Sequence, residues 1–232
     1  DAAAERAAYA KGYRRCHAAV PLWTAAAALE VREGQPAKAR AILEQARLRN
    51  PATEELWLAA VRQERAGAAA GPGGASGDPE SVRASEALMA KALQECPGSG
   101  MLWAEAVRMA PRPQRKSKSV DALKRCDSNP RIIASIANLF WLDRKVEKAR
   151  SWFNRSVTLN PDIGDHWAMF LTFETQHGTE EQQEAVVRRC VEAEPRHGEV
   201  WCRVRKSVKN WHDTVDVLLK KTIKEIGVDP KP

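Results

Sequence analysis

Residues 161–167 read PDIGDHW and residues 195–201 read PRHGEVW, so in both stretches a tryptophan follows a proline after six residues. The same spacing occurs earlier in the chain, with His17 replacing the proline once and an isoleucine replacing the tryptophan once. The bulky residues at this position are Trp23, Trp57, Trp103, Ile136, Trp167 and Trp201. Their separations of 34, 46, 33, 31 and 34 residues indicate a sequence repeat.

A repeat of this length that closes with proline is typical of helical hairpins stacked into a solenoid. Around Trp57 the apolar residues Leu56, Ala60 and Val61 fall on one face of an α-helix. The proline that ends each hairpin lacks an N–H and disfavours helix at the preceding residue. We therefore predict an all-α protein, a right-handed α-solenoid of stacked TPR-like hairpins whose core holds the six bulky repeat residues.

The repeat period also predicts where each repeat begins and ends along the chain. Residues 67–79 (GAAAGPGGASGDP) account for the one long separation, and their composition predicts a flexible loop inserted into one repeat. Residues 1–16 fit the second helix of a preceding repeat, so we expect a longer array upstream. The prediction is a single solenoid over 1–232, with the partial repeat 1–16, repeats 17–50, 51–96, 97–129, 130–160 and 161–194, and a last repeat with capping helix at 195–232.

Composition and motifs argue against catalysis. Five scattered cysteines show no Cys-x-x-Cys pair or zinc spacing, which favours reduced thiols. No apolar run reaches the roughly 18–20 residues of a membrane span. Neither a P-loop nor a dinucleotide-binding Gly-rich loop is present. Thr179 with Gln182 fits a helix-capping box better than a catalytic site. We predict no enzyme activity, no cofactor, no metal, no small-molecule substrate and no membrane contact.

The repeat resembles the half-a-TPR (HAT) repeat. Four units have an acidic residue seven positions after the bulky one, and none has the Gly-x-x-Tyr that follows Trp-x-x-Leu in an ordinary tetratricopeptide unit. Residues 50–64 (NPATEELWLAAVRQE), 88–103, 112–126, 140–153 and 164–202 are similar to the family of pre-mRNA-processing factors that bridge the spliceosomal U4/U6.U5 tri-snRNP. The resemblance implies a nuclear scaffold without enzymatic activity, whose partners are other tri-snRNP proteins, with snRNA as a possible secondary contact.

Two basic segments are candidate contacts for a partner or for RNA. The segment 108–125 contains prolines and serines, which predicts that part of it is an exposed loop. The second segment flanks Trp211, an aromatic residue outside the repeat position. The candidate contact residues are Arg112, Arg115, Lys116, Lys118, Arg203, Arg205, Lys206, Lys209 and Trp211. For both segments a merely solvated surface is the alternative.

Three functions from different classes remain open from the residues alone. The first is a protein–protein scaffold that buries well over about 1,000 Å² with its partner. The second is an RNA-binding module that uses 108–125 and the C-terminal basic cluster; the net charge of +7 permits contact with nucleic acid or with an acidic partner. The third is a tetratricopeptide-type adaptor that clamps the carboxylate of a partner's C-terminal tail. A HAT-repeat adaptor of another RNA-processing complex is an alternative within the scaffold class. The scaffold is the function we predict.

Overall fold

The computed structural model describes residues 1–69 and 79–227. Within these ranges the chain forms α-helices, one 3-10 helix (Val208–Asn210) and an isolated backbone bridge between Ile163 and His197, without a named strand. The helices are α1 (Ala2–Arg15), α2 (Val20–Arg32), α3 (Pro36–Arg49), α4 (Glu54–Ala69), α5 (Pro79–Glu95), α6 (Gly100–Met109), α7 (Arg112–Arg125), α8 (Pro130–Leu142), α9 (Val146–Leu159), α10 (Gly164–His177), α11 (Glu180–Ala193), α12 (Glu199–Arg205) and α13 (Val215–Ile226).

Local sequence explains where many of these helices begin. Pro36 and Pro130 occupy the first turns of α3 and α8, where proline removes no helical hydrogen bond. Asn129 caps α8 by accepting from the backbone N–H of Arg131. Thr179 and Gln182 form the predicted capping box at the start of α11, with both reciprocal hydrogen bonds present. The short breaks between helices are therefore determined locally.

Helices extend into both ends of the segment predicted as an inserted loop. Residues 67–69 continue α4, and Pro79 is the first residue of α5, so the boundaries 67–79 are wrong at both ends. Gly67 costs about 1 kcal/mol in a helix interior, which favoured an end to the helix there. A proline at a first helical position likewise begins a helix and does not extend a loop. The remaining residues of the predicted loop, 70–78, lie outside the described residues.

The chain divides into two compact units, Asp1–Pro111 and Arg112–Pro232. In the first unit α2 packs on α1, α3 and α4, and α4 packs on α5 and α6. Its apolar core contains two clusters, one around Trp23 and Leu56 and one around Trp57 and Leu102. In the second unit α10 packs on α8, α9, α11, α12 and α13. Trp167, Trp201 and Phe153 are buried in its core.

The predicted all-α class is confirmed, and the helices occur in pairs along the sequence. The repeats predicted at 17–50, 51–96, 130–160 and 161–194 each contain two helices that pack together. The repeat predicted at 97–129 contributes α6 to the first unit and α7 to the second. All six bulky repeat residues are buried, as the core prediction requires. One solenoid over 1–232 stays a prediction.

Candidate interaction surfaces

The repeat tryptophans are structural residues with a specific polar contact. Each indole N–H donates to the carbonyl oxygen of the residue six positions earlier, where the preceding hairpin ends. The Nε1–O distances are 2.8 Å for Trp23 and His17, 2.7 Å for Trp57 and Pro51, 2.9 Å for Trp103 and Pro97, 2.7 Å for Trp167 and Pro161, and 2.8 Å for Trp201 and Pro195. Because these indoles are buried and satisfied, they are not available as stacking platforms for bases.

A second repeated contact joins neighbouring hairpins and was missed from the sequence. An arginine near the start of one hairpin's second helix pairs with the acidic residue seven positions after the next bulky residue. The pairs are Arg6 with Glu30 at 2.7 Å, Arg40 with Glu64 at 3.0 Å, and Arg150 with Glu174 at 2.8 Å. The constant separation of 24 residues (30 − 6, 64 − 40 and 174 − 150) was the available signal.

The Arg150–Glu174 pair is the most deeply buried of the three. The guanidinium donates to both carboxylate oxygens, from Nε at 2.8 Å and from Nη2 at 3.1 Å. The hydrogen bond to Glu174 raises the pKa of Arg150 above its usual value. A Cβ atom on Gly178 would lie 2.2 Å from a Glu174 carboxylate oxygen, so glycine at this position leaves room for the ion pair.

The basic segment 108–125 is mostly helical, and the loop predicted for part of it is confined to residues 110–111, between α6 and α7. Residues 112–125 form α7, and the prolines that suggested a loop lie just before the helix and in its first turn, where they favour helix initiation. Arg112 and Lys116 are exposed, and Lys116 pairs with Asp143 at 3.3 Å; Arg115 and Lys118 are half-buried. The contact role of these four residues stays a prediction.

In the C-terminal basic cluster the two arginines contact other groups of the chain, and the two lysines are exposed to solvent. Arg203 pairs with Glu225 at 3.0 Å, and Arg205 donates to the carbonyl oxygen of Pro195 at 2.8 Å. The side chains of Lys206 and Lys209 are exposed. Trp211 is 74% exposed, and Val208 is 86% exposed. The surface around Trp211 therefore combines apolar and cationic groups, and its contact role also stays a prediction.

The turn at 195–198 is stabilised by two aspartates of the preceding repeat. Asp165 accepts from the backbone N–H groups of Glu199 and Trp201, at 2.6 and 2.8 Å, and so caps α12. Asp162 accepts from the backbone N–H of Arg196 and contacts His197 Nδ1 at 2.5 Å. Desolvation opposes ionisation of Asp162, but these hydrogen bonds outweigh it and lower its pKa.

The buried titratable groups are unsuited to catalysis. Burial raises the pKa of the Cys190 thiol to about 12, so it is not a thiolate nucleophile at neutral pH. Burial, with the charge of Arg131, lowers the pKa of His166 to about 3. None of the five cysteines forms a disulfide. Over residues 1–69 and 79–227 no three His, Cys, Asp or Glu side chains are placed to hold a metal ion, and no helix there is long and apolar enough to cross a membrane.

Solved structures show the class of protein. A tetratricopeptide-repeat protein of Thermus thermophilus matches with a TM-score of 0.52 at 12% identity, over 85% of this chain and 95% of its own. The Cut9–Hcn1 hetero-tetramer matches with a TM-score of 0.53 at 8% identity, over 98% of this chain and 44% of the matched chain. The Tetratricopeptide repeat profile matches residues 20–62. The chain has the fold of a tetratricopeptide-type helical repeat protein.

Proteins of similar sequence define the relationship more narrowly than the solved structures do. Pre-mRNA-splicing factor prp1 of Schizosaccharomyces pombe is 38% identical over 92% of this chain, which spans 22% of that protein. Human Pre-mRNA-processing factor 6 is 55% identical over 47% of this chain and 12% of its own length. STABILIZED1 of Arabidopsis thaliana is 52% identical over 51% of this chain and 12% of its own. The chain is a homologue of pre-mRNA-processing factor 6 and prp1, and it spans 12–22% of these three relatives.

Proposed function

We propose that this chain is a non-enzymatic scaffold segment in pre-mRNA splicing, acting in the nucleus. The observation that carries the proposal is the similarity to Pre-mRNA-splicing factor prp1 over 92% of the chain. Stacked helical hairpins suit this role because each repeat adds surface to an extended interface and no repeat needs a reaction pocket. The buried indoles and the Arg–acid pairs stabilise the hairpins, which leaves the exposed side chains to contact partners.

The specific assembly we propose is the U4/U6.U5 tri-snRNP, with other tri-snRNP proteins as the direct partners. The support is the resemblance in residues 50–64, 88–103 and 164–202 to the factors that bridge its parts. The surface that we propose for one contact comprises Lys206, Lys209 and Trp211. The support is the exposure of Trp211, because aromatic residues are enriched at interfaces and tryptophan is common among the few residues that supply most of the binding energy.

A second candidate is direct contact with snRNA through α7. The observation that favours it is the basic character of this helix, which has Arg112 and Arg115 in its first turn, Lys124 and Arg125 in its last turn, and a single acidic residue, Asp121. Binding of this kind displaces counterions from phosphate and weakens steeply with salt. A protein interface built on apolar and hydrogen-bonded contacts would persist at the same salt concentration.

The experiment that separates these functions is a pull-down from nuclear extract with the 232-residue chain as bait, with and without nuclease. Recovery of tri-snRNP proteins after nuclease treatment supports the scaffold. Recovery of another RNA-processing complex would contradict the tri-snRNP assignment. Proteins that are recovered only without nuclease would favour the RNA-binding function.

Variants assign the surface that makes the contact. We expect Lys206→Glu with Lys209→Glu and Trp211→Ala to lose the nuclease-resistant partners. Arg112→Glu with Lys118→Glu should affect only RNA-dependent recovery. The matched control is Lys220→Glu with Lys224→Glu, which changes the same charge at exposed positions of α13. Equal loss in the control would show a general charge effect and contradict the assignment to the surface around Trp211.

A further inference from the structure

The second unit contains a cavity that neither basic segment includes. It has a volume of about 360 Å³ and lies over α10, between α9 and α11. Its boundary is formed by Ser151 and Asn154 of α9, Phe170 of α10, and Ala185, Val186 and Arg189 of α11. Phe170 and Val186 are buried and form an apolar floor. The volume is at the lower end of the range for ligand pockets and suits one bulky side chain.

The two ends of the cavity differ in charge. At one end Arg150 pairs with Glu174 and with Glu147, the latter at 2.7 Å, so that end holds one cation and two carboxylates and has a net charge of −1. At the other end Arg189 donates to the amide oxygen of Asn154 at 2.8 Å, and its guanidinium lies 5.4 Å from the ring centroid of Trp167. Among the described residues no carboxylate lies within 4 Å of Arg189.

Arg189 is therefore a positive charge held in place by neutral partners beside an apolar floor. The Asn154 hydrogen bond and the Trp167 ring fix the guanidinium without neutralising it, and its remaining N–H groups can donate to an anion. A carboxylate arriving at this end would form a charge-assisted pair at a preorganised donor. An apolar side chain next to that carboxylate would cover Phe170 and Val186.

We propose that this cavity binds a peptide segment of a protein partner, with one bulky apolar side chain on the Phe170–Val186 floor and a neighbouring Asp or Glu paired with Arg189. The charge complementarity argues for an acidic peptide and against nucleic acid, because an apolar floor offers nothing to a phosphate. The site is separate from the surface around Trp211, so it holds whether or not the chain serves the tri-snRNP.

The test uses fluorescein-labelled nine-residue peptides and fluorescence anisotropy with the 232-residue chain. The probe has a central Phe flanked on both sides by Glu and Ser. One comparison peptide replaces the Phe by Ala, and another replaces each Glu by Lys. We expect the probe to bind and both comparison peptides to bind about tenfold more weakly or not at all. Equal binding of the Ala peptide would overturn the proposal.

Substitutions in α9 and α11 test whether the probe peptide binds in this cavity. Arg189→Glu should weaken the probe about tenfold, whereas Arg188→Glu, an exposed neighbour on α11, should change affinity less than about twofold. Arg189→Gln keeps a donor for Asn154 and provides the charge test if the Glu variant loses helicity. Ser151→Trp fills the cavity from an exposed position and should abolish binding. Unchanged binding of the probe to Ser151→Trp would refute the site. If the wild-type chain self-associates and Ser151→Trp does not, the cavity binds a second copy of the chain and the peptide proposal is wrong.

Discussion

The hydroxyl of Ser156 donates to the carbonyl oxygen of Pro130 at 3.0 Å, in the one repeat whose bulky residue is isoleucine. In the five other repeats an indole N–H donates to the equivalent carbonyl oxygen, but Ile136 has no donor. Ser156 also contacts His166 Nδ1 at 3.0 Å. Because the hydroxyl has one proton and the carbonyl can only accept, His166 donates from Nδ1 to Ser156. A hydroxyl from α9 thus replaces the missing indole.

Replacing Ser156 by Ala should destabilise the second unit. The substitution leaves the His166 N–H and the Pro130 carbonyl oxygen without the hydroxyl, and we expect a loss of about 1–3 kcal/mol in the free energy of unfolding. Ser151→Ala on the same helix is the control because Ser151 is exposed, and it should cost less than about 0.5 kcal/mol. Urea denaturation followed by circular dichroism measures both. Equal midpoints for the two variants would refute the role given to the hydroxyl.

The Trp167 indole contributes both volume and a hydrogen bond, and two substitutions separate these contributions. Trp167→Ala removes a side chain that is 2% exposed and should cost about 3–5 kcal/mol. Trp167→Phe keeps most of the apolar volume but loses the N–H that donates to Pro161, so we expect about 1–2 kcal/mol. Trp211→Ala is the matched control, since that residue is exposed. A Phe variant as stable as the wild type would show that the indole N–H adds nothing.

The sequence period predicted the helical class and the buried repeat residues, and the Thr-x-x-Gln pattern of Thr179 and Gln182 predicted the capping box. The period could not reveal the indole-to-carbonyl bonds, because a spacing of six residues is equally compatible with packing alone. The pairing of Arg150 with Glu174 was missed because its one sequence signal, a recurring separation of 24 residues between an arginine and an acidic residue, gains its meaning only when neighbouring hairpins are known to stack. The extent of the loop within segment 108–125 could not be predicted, because proline is common both in loops and in the first turn of a helix.

The candidate contacts were harder to predict than the fold. Periodicity marked Trp211 as outside the core pattern, and its side chain is indeed exposed. Charge counting alone placed Arg203 and Arg205 beside Lys206, but folding pairs Arg203 with Glu225 and Arg205 with a backbone carbonyl oxygen. No sequence pattern indicated the cavity over α10, because its lining comes from two hairpins: α9 belongs to one, and α10 and α11 belong to the next.

The Arg150–Glu174 pair should couple neighbouring hairpins strongly. Arg150→Ala leaves the Glu174 carboxylate, 1% exposed, without its partner, and we expect a loss of about 3 kcal/mol. The double substitution Arg150→Met with Glu174→Leu should recover most of that loss, because no buried charge remains. Arg203→Ala is the control, since its exposed pair with Glu225 contributes at most about 1 kcal/mol. Similar losses in the two single variants would contradict this account of burial.

Gly164 allows the close approach of α10 to Trp201. A Cβ atom at this position would lie 2.1 Å from Cδ2 of the Trp201 ring, and a buried indole has little room to move. Gly164→Ala should therefore destabilise the second unit by about 1–3 kcal/mol. The control is Gly98→Ala, where no atom lies within 4 Å of the added methyl group, and which should be neutral or slightly stabilising. A Gly164→Ala variant with an unchanged thermal midpoint would be incompatible with this packing.

His166 should make the second unit sensitive to mild acid. Its pKa is about 3 in the folded chain, because of burial and the charge of Arg131, against an ordinary value of 6.5. Between these values the unfolded chain binds a proton that the folded chain does not, so stability falls as pH decreases below about 6.5. From pH 7 to pH 4.5 this residue should account for a loss of roughly 2–3 kcal/mol. His166→Asn keeps a donor for Ser156 but cannot titrate, so it should lose correspondingly less stability over that range in urea titrations. An equal loss in both proteins would show that His166 is not the source of the acid sensitivity.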